Sequence, residues 1–152
     1  MGINLNARPS ELIRTAGALD PIDQSAGARV SDYASLAEAE RGLAIVLVGA
    51  MTSNSTVDAK LVQATDSSGT GKKDISGKAI TQLTEAGSDN NKQVLLEVLA
   101  EELDVNNGFT HFAVEVTTAT AASLTAAVVQ TYGIAHGPAS DGDVASVDEI
   151  VN

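Results

Sequence analysis

The residues best suited to chemistry in this 152-residue chain gather in one short polar stretch, Asp66-Ser67-Ser68-Gly69-Thr70-Gly71-Lys72-Lys73-Asp74. Gly69-Thr70-Gly71-Lys72 has the outline of a phosphate-binding loop, in which backbone N–H groups cradle phosphate oxygens and a lysine neutralises them. That loop requires Gly five places before Gly71, where Asp66 stands, and Ser or Thr after the lysine, where Lys73 stands. No helical pattern follows to present its N-terminus to an anion. Asp66, Ser68 and Thr70 also have the alternate spacing of a calcium-binding loop, but the twelfth position, which should be Glu, is Gly77.

The other reactive side chains are as isolated. His111 and His136 have no His, Glu or Asp at metal-ligand spacing, and the absence of cysteine removes thiolate ligands, thiol nucleophiles and disulfides. No serine sits in a Gly-x-Ser-x-Gly elbow. Glu101 and Glu102, like Asp148 and Glu149, are neighbours in sequence and read as solvated charge rather than an acid and base facing across a cleft. Tyr33, Phe109, Phe112 and Tyr132 are the whole aromatic stock, too few for a ring-lined sugar site once the core has taken its share. The expectation is a non-enzymatic protein with no metal and no cofactor.

Bulk composition narrows the partners. A formal net charge of −11 repels a polyanion, so direct nucleic-acid binding is not expected. The longest apolar run, Leu43–Met51, is far short of the ~20 residues that span a bilayer. Met1–Pro9 is polar and unlike a secretory leader. A soluble protein away from membranes is expected, and a core made largely of Ala, Val, Leu and Ile points to self-association for added stability.

The elements that position these residues read as strands. Gly42–Met51, Asp58–Thr65, Lys92–Ala100, Phe109–Thr118 and Ser123–Ala135 are apolar or alternating runs broken by Gly, Asn, Asp and Ser clusters. Phe112, Val114 and Val116 fall on one face of their run, with His111, Ala113 and Glu115 on the other. Residues 66–74 read as an exposed hairpin loop, Leu36–Arg41 and Glu101–Asp104 as short helical turns, and Asn106-Asn107-Gly108 as a tight hairpin turn. The predicted fold is all-β: an antiparallel β-sandwich, jelly-roll-like, over residues 28–136. An extended N-terminal arm (1–27) precedes it, with one or two helical turns at Pro9–Arg14, Ser10 as cap, and a break at Asp20-Pro21. An acidic C-terminal tail (137–152) follows, with apolar residues at roughly helical spacing. Leu12, Ile13, Leu19 and Ile22 in the arm, and Val144, Val147, Ile150 and Val151 in the tail, are the predicted partner-binding anchors.

Several stretches are similar to small structural proteins of tailed bacteriophages: Lys60–Ser67, Lys73–Thr81, Ala100–Val105 and Gly137–Asp141. The chain most resembles the capsid decoration, or cement, proteins encoded beside the major capsid protein, over roughly residues 43–141. The resemblance implies a β-rich homo-oligomer, a dimer or trimer, on the outer surface of the virion's icosahedral capsid. There it would bridge neighbouring major capsid proteins and stabilise the mature head. The alternatives are a phage tail or head–tail connector component and a glycan-binding β-sandwich.

Overall fold

A computed structural model describes residues 6–134, 142 and 144–151. A short helix, α1 (Pro9–Leu12), leads into ten strands: β1 (Ile13–Gln24), β2 (Gly27–Val30), β3 (Ala34–Ser35), β4 (Ala39–Met51), β5 (Thr56–Ala64), β6 (Lys73–Ala79), β7 (Leu83–Thr84), β8 (Lys92–Leu99), β9 (His111–Ala119) and β10 (Ser123–Ile134). One sheet has the order β1-β10-β4-β8. The other, six-stranded, has the order β2-β9-β5-β6, with β3 beside β9 and β7 beside β5. Every pairing is antiparallel. With the two-residue strands β3 and β7 set aside, the remaining eight strands alternate between sheets except at the β5–β6 hairpin, which is the winding of an eight-stranded jelly roll. The all-β, jelly-roll-like sandwich read from the strand pattern is the fold.

The period of two along each strand builds the core. Ala44, Val46 and Val48 of β4, Leu96 and Val98 of β8, and Ala127 and Val129 of β10 face Val57, Ala59 and Leu61 of β5 and Phe112, Val114 and Val116 of β9. Among these small aliphatic side chains Phe112 is the largest fully buried one. Its ring lies on Gly42, where a Cβ would come within 2.9 Å of Cε2 and nearer still to Cζ. A glycine inside a strand here marks the close approach of a neighbour.

The corner where the chain leaves β1 for β2 is pinned by one buried amide. Gln24 Nε2 donates to the carbonyls of Gly27 (2.9 Å) and Val116 (3.2 Å). Its Oε1 accepts from Arg29 Nε and from Thr125 Oγ1, both at 2.9 Å. All the partners this side chain needs are present, so a polar group at 3% exposure ties both sheets together at little desolvation cost.

Five sequence expectations change. The arm expected over 1–27 gives way at Ile13, because residues 13–24 form β1, hydrogen-bonded along β10 from Ile13↔Tyr132 to Gln24↔Ser123. Asp20-Pro21 does not end that strand; the register shifts between Leu19 and Ile22, a bulge that accommodates a residue without an N–H on an edge strand. Ala39–Arg41 are strand rather than helix, since pairing with Ile134 and Tyr132 of β10 captures them. Asn106–Gly108 is not a hairpin: Val105–Asn107 make a 3-10 turn closed by Gly108 at φ +82°, and it carries the chain from one sheet to the other. The helical turn at Pro9–Leu12 is present, with Glu11 accepting from the Arg8 backbone N–H at 3.0 Å; Arg8, not Ser10, is the cap. In the tail, Val144–Ser146 form a 3-10 turn and 147–151 have no regular structure. Residues 1–5, His136 and the stretch Gly137–Asp141 lie outside the described residues.

Candidate interaction surface

The polar 66–72 loop, the stretch richest in tempting chemistry, folds back on its own sheet. Asp66 Oδ1 accepts from the backbone N–H groups of Ser68 (2.9 Å) and Thr70 (3.0 Å). A hydrogen bond from the Thr70 hydroxyl, together with those backbone bonds, holds its carboxyl below the usual range. Gly69 and Gly71 both have positive φ. The Tyr33 ring lies on Gly69 and the Phe109 ring on Gly71, while Lys73 stands 3.9 Å over the Phe109 ring and pairs with Asp104.

Beneath this loop, on the outer side of the six-stranded sheet, the cross-strand pair Lys60↔Glu115 is joined by Lys72 from the loop. Lys60 Nζ lies 3.3 Å from Glu115 and 2.8 Å from Asp74. Desolvation pushes the Glu115 carboxyl upward, but the hydrogen bonds from Lys72 and Lys60 outweigh it, and the net direction is down. Burial lowers His111, favouring its neutral form at pH 7; it is at hydrogen-bond distance (2.9 Å) from Thr110 Oγ1. Val62, Ala64 and Ala113 alternate with the core-facing positions, yet they are fully buried. The loop and Tyr33 cover this end of the outer face, while Asp58 and Thr117 farther along it are only half-buried.

The four-stranded sheet is the opposite case. Its registers place Ala18, Val128, Ile45 and Leu95 in one row across all four strands, on the side away from the core. The flanking rows are Ala126–Leu47–Gln93 on one side and Thr15–Gln130–Leu43–Glu97, then Ile13–Tyr132–Arg41–Leu99, on the other. Leu47 is 47% exposed, Leu95 57%, and Leu99 and Leu124 about as much as each other, 40% and 42%. A hollow of about 360 Å³ at one end is lined by Pro21, Leu47, Gly49, Leu124 and Ala126. A second, of about 420 Å³, at the other end is lined by Arg41, Leu43, Glu97, Leu99 and Tyr132. A ridge of aliphatic side chains between two hollows, with Lys92 at the first and Arg41 and Glu97 at the second, suits a protein surface better than a small polar ligand.

The predicted anchors do not form one patch. Ile13 opens β1 beside Tyr132 and is half-buried, with Leu12 exposed just before it. Ile22 projects at the β1 bulge, 43% exposed. Leu19 belongs to the core and is not available to a partner, because its β1 segment is part of the sandwich. Val144 lies in the 3-10 turn, Val147 is half-buried, and Ile150 and Val151 are exposed. Sequence reasoning missed Leu47, Leu95, Leu99 and Leu124. The available signal was the lack of alternation in Leu43–Met51 and Lys92–Ala100, strands apolar on both faces though only one face meets the core.

Compared with known protein families, the chain matches no family model, and a comparison with curated proteins gives no match.

Proposed function

We propose that this chain is a non-enzymatic structural protein of a phage virion. In this reading it sits on the outside of the icosahedral capsid and bridges neighbouring major capsid proteins. The observation that carries the reading is the uncovered apolar face of the four-stranded sheet, set against a six-stranded sheet whose outer face is polar and covered at one end by its own loop. The jelly roll is also the architecture of viral coat domains, which agrees with the resemblance to decoration proteins but does not select a function. The net charge of −11 suits a component held away from packaged DNA.

The mechanism is linkage. A protein that binds the mature shell and not its alternatives stabilises that shell by RT ln(1 + [L]/Kd) per site. Repetition over a lattice lets modest single contacts suffice. The test adds purified protein to capsids that lack it and follows shell melting. Saturable binding with a raised melting temperature is the expected result, lost on Leu47→Asp while the free protein stays folded. Shells that neither bind the protein nor change their melting refute the reading.

A glycan-binding role has one observation in its favour, the Tyr132 ring beside Arg41 and Glu97 in the second hollow. Saturable sugar affinity lost on Tyr132→Ala is its signature. A tail or connector component would be present in a few copies per particle, which a stained gel of purified virions separates from hundreds.

A further inference from the structure

An antiparallel sandwich has four sheet edges, and here three of them carry features that obstruct pairing with another chain. The β1 edge is interrupted by the Asp20-Pro21 bulge, and Gly142 packs directly against its Arg14 and Thr15. On the β2 side of the six-stranded sheet the edge is made of two short pieces, four residues and two. The β6 edge has a register shift opposite Lys60–Val62, Gly77 at φ +76°, and three charged residues, Lys73, Asp74 and Lys78.

The β8 edge has none of these. Its eight residues pair with β4 without a break, from Arg41↔Leu99 to Val48↔Lys92. They include no Gly or Pro and only two charges, Lys92 and Glu97. Among the described residues nothing pairs on its far side. A hollow of about 510 Å³, bounded by Gly77–Ile80 and by Leu95–Glu97, leaves room beside its backbone. Leu95, at its middle, is the most exposed large apolar side chain on this sheet.

We infer that β8 pairs antiparallel with β8 of a second copy of this chain, about a two-fold axis at Leu95. The strand's own sequence favours a copy of itself as occupant. Residues opposite one another in an antiparallel pair share a face, so an axis at Leu95 sets Gln93 opposite the partner's Glu97. The amide then donates to the carboxylate, twice by symmetry. On the inner face Val94 meets the partner's Leu96. The apolar row Ala18–Val128–Ile45–Leu95 continues into its own mirror order, so two four-stranded sheets become one of eight strands with a single apolar outer face. This pairing uses the sheet edge, not Leu47 or Leu124, and is independent of whether that face meets a capsid.

Sedimentation equilibrium of the full chain at about 100 μM tests it. A mass of twice 15.5 kDa is expected. Leu95→Lys sets like charges against each other at the axis and should raise the dimer dissociation constant at least ~10-fold. Leu47→Lys, on β4, should leave it unchanged. Because the chain has no cysteine, register can be read by oxidative crosslinking. Paired residues have Cα atoms about 4.5 or 5.5 Å apart, within disulfide reach, so Leu95→Cys should give a covalent dimer. Gln93→Cys alone should not, its copy lying about 13 Å away. A monomeric wild-type chain overturns the inference, as does a dimer lost with Leu47→Lys but kept with Leu95→Lys, or equal crosslinking by Gln93→Cys and Leu95→Cys.

Discussion

The contact between Phe112 and Gly42 makes the sharpest prediction about what holds this sandwich together. Substituting Gly42→Ala places a methyl group within 2.9 Å of Phe112 Cε2 and closer to Cζ. Carbon atoms rest at about 3.5–4.0 Å, so the ring or the β4 backbone must retreat by about 1 Å. Neither has open space to move into, since both residues are buried, and overpacking of this kind costs about 1–3 kcal/mol. Phe112→Ala removes the same contact from the other side and costs about 3–5 kcal/mol, a large part of the ~5–15 kcal/mol that holds a domain folded. Phe112→Leu should be milder, and combining it with Gly42→Ala should recover about 1 kcal/mol or more, because the new methyl group enters space the ring has left. Urea unfolding of wild type and the four variants at one pH measures each term. The reasoning fails if Gly42→Ala is tolerated within about 0.5 kcal/mol, or if the double variant is simply additive.

Two further outcomes follow from the polar contacts. Replacing Gln24 with Leu leaves the Gly27 and Val116 carbonyls and the Thr125 hydroxyl without that partner and should cost about 2–3 kcal/mol in urea unfolding, while Glu should be no better, since a carboxylate cannot donate to the carbonyls. Glu115 has a depressed folded pKa, so its stabilisation is complete above the unfolded carboxyl value of about 4.3 and is lost as pH falls through the folded value. Glu115→Gln should therefore be about 1 kcal/mol less stable than wild type at pH 7, with the gap closing below about pH 4; a gap that stays constant down to pH 3 refutes the role of Lys60 and Lys72.

Strands were legible in the sequence where period and punctuation agree. β5, β8, β9 and β10 fall within a few residues of their alternating or apolar runs, and of the two faces separated along β9 the Phe112–Val114–Val116 one turns inward. Pairing was less legible, because a jelly roll joins distant segments: β1 finds β10, and β5 finds β9, with no local sign of either. β1 itself was hidden by Asp20-Pro21, which reads as a break until the neighbouring strand shows a bulge. Gly42 opened a predicted strand with no sign that it seats a ring arriving from the opposite sheet. The interaction face was hidden for a related reason. An apolar strand reads the same whether its second face meets a core or solvent, and only the sheet order tells them apart.

The 66–72 loop folded over the six-stranded sheet gives the molecule two unlike sides. The four-stranded sheet leaves its apolar outer row open, while Tyr33, Asp66 and the Lys60–Glu115–Lys72 cluster cover part of the opposite face with polar groups. On the proposed reading, a molecule that binds through the first face would turn the second one outward. A layer assembled in that way would end at a depth of one, with no counting device.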